Sequence, residues 1–242
     1  MVPLRDDNPV KITPYVTYGL IAANVLIFLY ELTLSPIELM TFFRTWAVVP
    51  EQLTATLQSG GDITIFTLHE WFTLVSAQFM HAGFLHLGGN MLYLWIFGNN
   101  VEEELGHVRF LLFYLVCGIL ATLTQWGFGL YSEAPSLGAS GAIAGVMGAY
   151  IFRFPDVRIL TIVPLGFLFL PVRIPAMFYL GIWFLQQATY GLTSLNVPAN
   201  IGMAEGGIAY WAHAGGFIWG AMVGPLLGLF DNSAERLSSK DG

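Results

Sequence analysis

The sequence predicts an all-α polytopic membrane protein, a bundle of six transmembrane helices with an interfacial loop between helices 1 and 2. Of its 242 residues, 55% are hydrophobic and only 10% are charged, and its mean hydropathy is +0.65. That composition is too apolar for a soluble domain of this length. Crossing roughly 30 Å of hydrocarbon takes about 20 mostly apolar residues. Six stretches reach or approach that length: 15–33, 83–101, 108–130, 137–152, 174–192 and 207–230.

Basic residues predict how the bundle is oriented, because Lys and Arg are enriched in cytoplasmic loops. With both termini in the cytoplasm, all nine basic residues except Arg44 fall on the inner side. Residues 1–14 are then a short polar cytoplasmic tail, residues 15–230 the six-helix domain and residues 231–242 a second cytoplasmic tail. The acidic run 102–104 also falls inside, although acidic residues count little in this rule. The minimal layout, without a targeting presequence, is typical of a bacterial plasma-membrane protein.

Two segments between spans are expected to lie at the membrane interface. Residues 34–82 are amphipathic and carry Trp46 and Trp71, which is typical of a structured loop in the outer interface. Residues 159–170 are apolar but too short to span, and prolines interrupt them. They predict an interfacial hairpin on the inner side.

Four polar side chains share one layer of the predicted bundle. His86 and Asn90 lie near the start of span two, Ser140 near the start of span four and His213 near the start of span six. These three spans all run from outside to inside. At 1.5 Å per residue, the four side chains lie roughly 5 to 10 Å below the outer surface. Ionisable residues are costly in lipid, so this layer is the candidate functional site.

Spacing predicts how these side chains are oriented. His86 and Asn90 are four residues apart and project from one helix face. Ser140 stands in the first turn of its helix, where backbone N–H groups have no intrahelical partner and the dipole favours negative charge. Spans four and six each carry two small residues one turn apart: Gly141 and Gly145, and Gly216 and Gly220. Such faces allow close helix approach and would bring His213 within reach of Ser140.

The residue types in the layer restrict the chemistry. It holds no Asp or Glu, which excludes an aspartyl dyad and a Ser-His-Asp triad. His69-Glu70 lacks the second histidine of a His-Glu-x-x-His site, so neither a metal nor another cofactor is expected. What remains is a serine nucleophile, Ser140, activated by the base His213. The groups expected to stabilise the oxyanion are His86, Asn90 and the backbone N–H of Ser140.

Each of these residues also has a structural interpretation. Ser140 alone is more often a helix-packing residue, His86 alone is compatible with a headgroup anchor, and Asn90 with a bridge between helices. Their common depth favours function. Other polar or reactive residues in the spans do not join the layer and are interpreted as structural: Asn24, Cys117, Gln186 and Gln187. The net charge of −7 gives no reason to expect a nucleic-acid partner.

Four motifs follow one another along residues 15–230: "HAGFLHLGGN" with His86 and Asn90, "FGNNVEEELG", "GASG" around Ser140, and "AHAGGFIWG" around His213. Together they resemble the rhomboid family of intramembrane serine proteases. The resemblance implies a six-helix rhomboid bundle that cleaves membrane-anchored proteins in or near a transmembrane segment, without cofactor. It implies a Ser140–His213 catalytic dyad with His86 and Asn90 lining the oxyanion hole. The supporting residues are expected to be Gly138, Gly141, Gly216, Gly220, His81 and, for delivery of water, Gln125.

The chain departs from the family pattern in two places. Phe72-Thr73 stands where many members have Trp-Arg in the loop before the second helix. Ala144 stands one turn after the serine, where many members place a tyrosine against the catalytic histidine. Support for the His213 ring is therefore expected from another side chain, such as Trp211 or Phe217.

The resemblance suggests that a substrate helix enters from the lipid and unwinds into the polar layer, with the polar loop 193–206 as a mobile lid. Two other functions are weighed against proteolysis. A binding protein of the same fold would lack the serine or the histidine, and both are present. A small transporter would show paired broken helices or a hydropathy repeat, and the sequence contains neither.

Overall fold

A computed structural model describes residues 1–58, 65–195 and 209–231. Its helices are α1 Tyr15–Glu31, α2 Pro36–Trp46, α3 Pro50–Gln58, α4 Ile65–Ser76, α5 Phe84–Leu105, α6 His107–Gly127, α7 Ser140–Arg153, α8 Ala176–Ser194 and α9 Tyr210–Leu226. A 3-10 turn covers Ala77–Phe79, and the strands are β1 Val2–Asp6, β2 Arg158–Leu165 and β3 Leu168–Pro175. Each predicted span coincides with one helix: α1, α5, α6, α7, α8 and α9.

Helix α7 is the centre of the bundle. Every residue from Gly141 to Tyr150 is buried, and α7 packs against α5, α6, α8 and α9. Among the described helices, α6 is the one that is both long enough and apolar enough to cross a bilayer. Helix α1 is apolar but shorter. A helix buried on all sides needs no lipid-facing surface of its own, so α7 tolerates three glycines among its 14 residues.

The described parts of the segment between α1 and α5, residues 32–58 and 65–83, are structured, as the amphipathic pattern predicts. Ser35 and Glu38 form a capping box at the start of α2, with Pro36 as the first helical residue. The Ser76 hydroxyl donates to the carbonyl oxygen of Trp46 at 2.6 Å, and Val48 forms an isolated antiparallel bridge with Ser136. These contacts hold the segment in place although Phe72-Thr73 replaces the expected Trp-Arg pair.

The bundle is helical, but the all-α prediction omits a three-stranded antiparallel sheet, in the order β1-β2-β3, at the end of the bundle that carries residues 2–6. The predicted interfacial hairpin is a β-hairpin that turns at Gly166, whose φ of +60° is readily adopted only by glycine. Residues 1–14 are not simply a polar tail, because Val2–Asp6 pair with β2. The short apolar run 159–170 cannot satisfy its backbone groups as a span, and it satisfies them by strand pairing.

Charged residues gather at the same end of the molecule. Arg153 pairs with Glu104 at 3.2 Å, and Arg173 lies 3.6 Å from Asp7. The buried Glu102 carboxylate accepts the backbone N–H groups of Val16 and Thr17, at 2.9 and 2.7 Å. The acidic run 102–104 is thereby explained, because a carboxylate at the start of α1 satisfies free N–H groups and complements the helix dipole.

Candidate active site

Glycines allow α7 and α9 to pack backbone against backbone. A Cβ added to Gly216 would overlap the carbonyl oxygen of Gly141, and one added to Gly220 would overlap that of Gly145. Gly148 meets the carbonyl oxygen of Phe217 in the same way. The two helices therefore approach as the glycine spacing predicts, and their first turns lie side by side.

This packing places Ser140 beside His213. Ser140 is the first residue of α7, and its Oγ lies 2.8 Å from Nε2 of His213 in the first turn of α9. The distance is that of a hydrogen bond between a nucleophile and its base. The backbone N–H groups of the first turn of α7 have no partner within the helix and are suited to bind negative charge.

The other ring nitrogen of His213 meets α8. Its Nδ1 lies 2.8 Å from Oε1 of Gln187, and the Trp183 ring lies against the imidazole with a centroid distance of 5.8 Å. The interpretation of Gln187 as remote from the polar layer is wrong. The expectation for Trp211 and Phe217 is also wrong, because Trp211 stacks on Phe128 while the described aromatic contact of His213 is with Trp183.

His86 lies beside the backbone that leads into Ser140. Gly138 has a φ of +122°, and a Cβ there would lie 2.8 Å from Nε2 of His86 and 3.8 Å from the Ser140 Oγ. The Nδ1 atom of His86 accepts the backbone N–H of Ala82 at 3.4 Å. A neutral imidazole that accepts at Nδ1 carries its proton on Nε2. His86 therefore presents a donor towards the serine.

Asn90 and His81 form a buried pair next to this donor. The Asn90 amide nitrogen lies 2.9 Å from Nε2 of His81, and the His81 and His86 rings meet edge to face at 5.0 Å. Burial, with a smaller effect of the neighbouring His86, lowers the pKa of His81 to about 3. His81 is therefore neutral at physiological pH and accepts from Asn90, which leaves the second amide hydrogen of Asn90 for another acceptor.

Two glutamines lie close to the Ser140–His213 pair. Gln125, the predicted water-delivering residue, uses Oε1 to accept the backbone N–H of Ala212 at 3.1 Å and so joins α6 to α9. Gln78 instead lines a cavity next to Ser140, and its buried Oε1 has no hydrogen-bond partner among the described residues. The cavity volume of about 20 Å³ is enough for one water molecule. Of the predicted lid at 193–206, the first residues end α8, and 196–206 lie outside the described residues.

Comparison with known sequences places this geometry in a family. A model of the Rhomboid domain matches residues 68–230, more than half of the chain. The chain belongs to the rhomboid family. It is therefore a helical polytopic membrane protein.

Named relatives of this rhomboid protein come from several compartments. It is 40% identical over 101 residues to "Rhomboid protease GluP" of Bacillus subtilis, covering 41% of this chain and 19% of that protein. It is 32% identical over 156 residues to "Rhomboid protein 1, mitochondrial" of Saccharomyces cerevisiae, covering 63% of this chain and 40% of that protein. It is 40% identical over 92 residues to "Rhomboid-like protein 11, chloroplastic" of Arabidopsis thaliana, covering 37% and 32%. The matches thus span less than half of each relative, and they favour no single cellular membrane.

One signal in this rhomboid sequence could have found Gln187. In the predicted orientation, α5, α7 and α9 run inward and α8 runs outward, so depth along α8 is measured from its C-terminal end. Gln187 is five residues before the outer end of the predicted span 174–192, roughly 7 Å at 1.5 Å per residue. It belongs to the same layer as Ser140, and Trp183 lies one turn below it on the same face.

Proposed function

We propose that this rhomboid protein is an intramembrane serine endopeptidase that cleaves transmembrane proteins in or near their membrane-spanning segments. Ser140 is the nucleophile and His213 is the general base. The observation that carries the proposal is the 2.8 Å contact between the Ser140 Oγ and the His213 Nε2. Protease-named relatives such as GluP add support.

The reaction proceeds by acyl transfer. Nε2 of His213 takes the hydroxyl proton of Ser140 while Oγ bonds to the scissile carbonyl carbon. His213 then gives that proton to the departing amine, and the C–N bond breaks. A water molecule attacks the acyl-enzyme in the same way, with His213 as base, and releases the second product and free Ser140. The cavity bounded by Gln78 is a suitable place for that water.

The oxyanion lies between α5 and α7. The donors available to it are Nε2 of His86, the second amide hydrogen of Asn90 and the backbone N–H groups that begin α7. Such preorganised donors stabilise the tetrahedral intermediate more than the planar substrate. Gly138 leaves room for the reacting carbonyl, because any side chain there would meet both His86 and Ser140.

The depth of the site indicates the kind of substrate, and the distribution of basic residues indicates the orientation. Six helices cross the bilayer with both termini in the cytoplasm, and the active site opens to the outer side. A scissile amide within an α-helix is shielded by its own turn, so the substrate helix must unwind near the cut. Glycine and other weak helix formers there favour cleavage.

The decisive experiment compares Ser140→Ala with the unchanged protein on a transmembrane reporter in liposomes. We expect Ser140→Ala to abolish cleavage and labelling by a fluorophosphonate probe while thermal unfolding stays similar. Ser194→Ala is the control, because the Ser194 hydroxyl donates to the Gly191 carbonyl oxygen within α8, its hydrogen bond among the described residues. Cleavage at the same site by Ser140→Ala would refute the mechanism, and an unlabelled but folded wild-type protein would point to a rhomboid-like binding protein.

A further inference from the structure

The base of the proposed dyad is held from two sides. Nε2 of His213 faces Ser140, and Nδ1 faces Oε1 of Gln187, each at 2.8 Å. Gln187 is only 8% exposed, so its amide does not exchange this contact freely with water. A side chain buried among apolar residues and aimed at the ring of a catalytic base has a role that packing alone does not explain.

We propose that Gln187 is a positioning residue that keeps His213 in the tautomer needed for catalysis. A carbonyl oxygen can only accept, so the hydrogen lies on Nδ1 of the ring. Nε2 then has a free lone pair directed at Ser140. With the other tautomer, Nε2 would carry the hydrogen and could not take the serine proton. The inference rests on the proposed function, since it assigns Gln187 the orienting role that an acidic residue has in a Ser-His-Asp triad.

Trp183 completes the support from α8. It lies four residues before Gln187, so both side chains leave the helix on one face. The centroid of the Trp183 ring lies 5.8 Å from that of the His213 ring and 6.2 Å from that of the Phe217 ring. Trp183 thus provides a ring contact for the imidazole, whereas position 144 of α7 has an alanine and no ring. Helix α8 thus supplies both the ring contact and the hydrogen bond.

The absence of nearby charged side chains on α8 and α9 means that a neutral hydrogen-bond partner is sufficient to orient the His213 ring. Helices α8 and α9 contain no Asp, Glu, Lys or Arg, and the charged residues of α5, α6 and α7 lie at the inner end. Among the described residues, the titratable group with an electrostatic effect on His213 is His86 of α5. An amide fixes the tautomer in this apolar setting without burying a second charge, which would be costly.

The test uses full-length protein in liposomes with a cleavable transmembrane reporter. Gln187→Leu removes the acceptor, and we expect kcat to fall by about 10²-fold, the lower end of general-base contributions. KM should stay unchanged, because the Gln187 side chain is buried against the His213 ring and acts on the base. Gln187→Glu restores an acceptor and adds negative charge that stabilises the imidazolium. We expect it to recover activity, with the acidic limb of the pH–rate profile moved up by about 1 to 2 pH units.

Gln186 offers a matched control. It is the residue immediately before Gln187 in α8, it is exposed, and its amide donates to the Tyr190 hydroxyl at 3.2 Å. Gln186→Leu and Gln186→Glu should leave kcat and the pH profile unchanged. A purely structural role for Gln187 would lower the unfolding temperature without moving the pH profile in Gln187→Glu, and that result would overturn the inference.

A second measurement does not depend on proteolysis. The ¹⁵N chemical shifts of His213 report which ring nitrogen carries the hydrogen, and they can be recorded in the Ser140→Ala protein. We expect hydrogen on Nδ1, and a mixture of tautomers after Gln187→Leu. If the hydrogen lies on Nε2 of His213 while Gln187 is present, the positioning role of Gln187 is refuted. If instead Ser140→Ala still cleaves the reporter, the proposed function fails, whatever the tautomer.

Discussion

The backbone of Gly220 on α9 lies directly against the carbonyl oxygen of Gly145 on α7, with no space for a side chain between them. This contact sets the distance between the helix that carries His213 and the helix that carries Ser140. The proposed active site therefore depends on two residues that lie outside it.

Gly220→Ala should separate α7 from α9. The added Cβ would overlap backbone atoms, which cannot shift as a flexible side chain can, so we expect a loss of about 1 to 3 kcal/mol of stability. Fluorophosphonate labelling of Ser140 should fall with it. Gly19→Ala is the control, because a Cβ there meets nothing within 4 Å. Since alanine favours helices over glycine, Gly19→Ala should leave the unfolding temperature equal or higher. Equal unfolding temperatures and equal labelling in Gly220→Ala and Gly19→Ala would show that the close contact of α7 and α9 does not control the site.

Glu102→Gln should loosen the start of α1. The buried carboxylate accepts backbone N–H groups of Val16 and Thr17 and lies 2.6 Å from Nδ1 of His107. Hydrogen bonds to a charged group contribute about 1.5 to 3 kcal/mol each, and the amide keeps only part of them. We expect thermal unfolding in detergent to show a loss of about 1 to 3 kcal/mol. Glu103→Gln, which alters an exposed contact with the Lys11 N–H, should change stability by less than about 1 kcal/mol.

Asp6 should make stability depend on pH. The Tyr150 hydroxyl donates to its carboxylate at 2.5 Å, but burial outweighs this bond and raises the pKa of Asp6 above its ordinary value. The folded protein therefore holds the proton more tightly than the unfolded chain. Its stabilising effect is complete below the unfolded pKa of about 3.9 and is lost as the pH rises through the folded pKa.

Asp6→Asn tests this sign directly, because an amide cannot ionise. We expect the unfolding temperature of Asp6→Asn, relative to wild type, to increase from pH 4 to pH 7. A difference that stays constant across this range would show that burial of the carboxylate does not control stability.

The β2–β3 hairpin is predicted to dip into the inner leaflet. Its tip exposes large apolar side chains, with Phe167 and Phe169 among the most exposed. A spin label at Phe167→Cys, in a protein whose single cysteine is replaced by Cys117→Ala, should collide more with oxygen than with a water-soluble nickel complex. The exposed Asp156→Cys, before the hairpin, should show the opposite preference. Equal access of the nickel complex to both positions would place the tip in water.

The residues proposed for catalysis could be named from the linear sequence, because each depends on a short-range rule. Depth follows from the rise per residue, the shared face of His86 and Asn90 from helical spacing, and the approach of α7 and α9 from the positions of Gly145 and Gly220. Such rules depend only on residues within one helix or on one helix surface, so they can be applied to a single sequence without a structure.

Partners that come from distant parts of the chain could not be named in this way. β1 pairs with a hairpin more than 150 residues away. Depth along α8 can place Gln187 in the polar layer, but only the structure shows that it reaches His213. A polar group satisfied by a neighbouring helix looks, along the chain, like one satisfied within its own helix. Which interpretation holds depends on the rotation of α8 and the direction in which it crosses the bundle, and these are set by packing of the whole molecule.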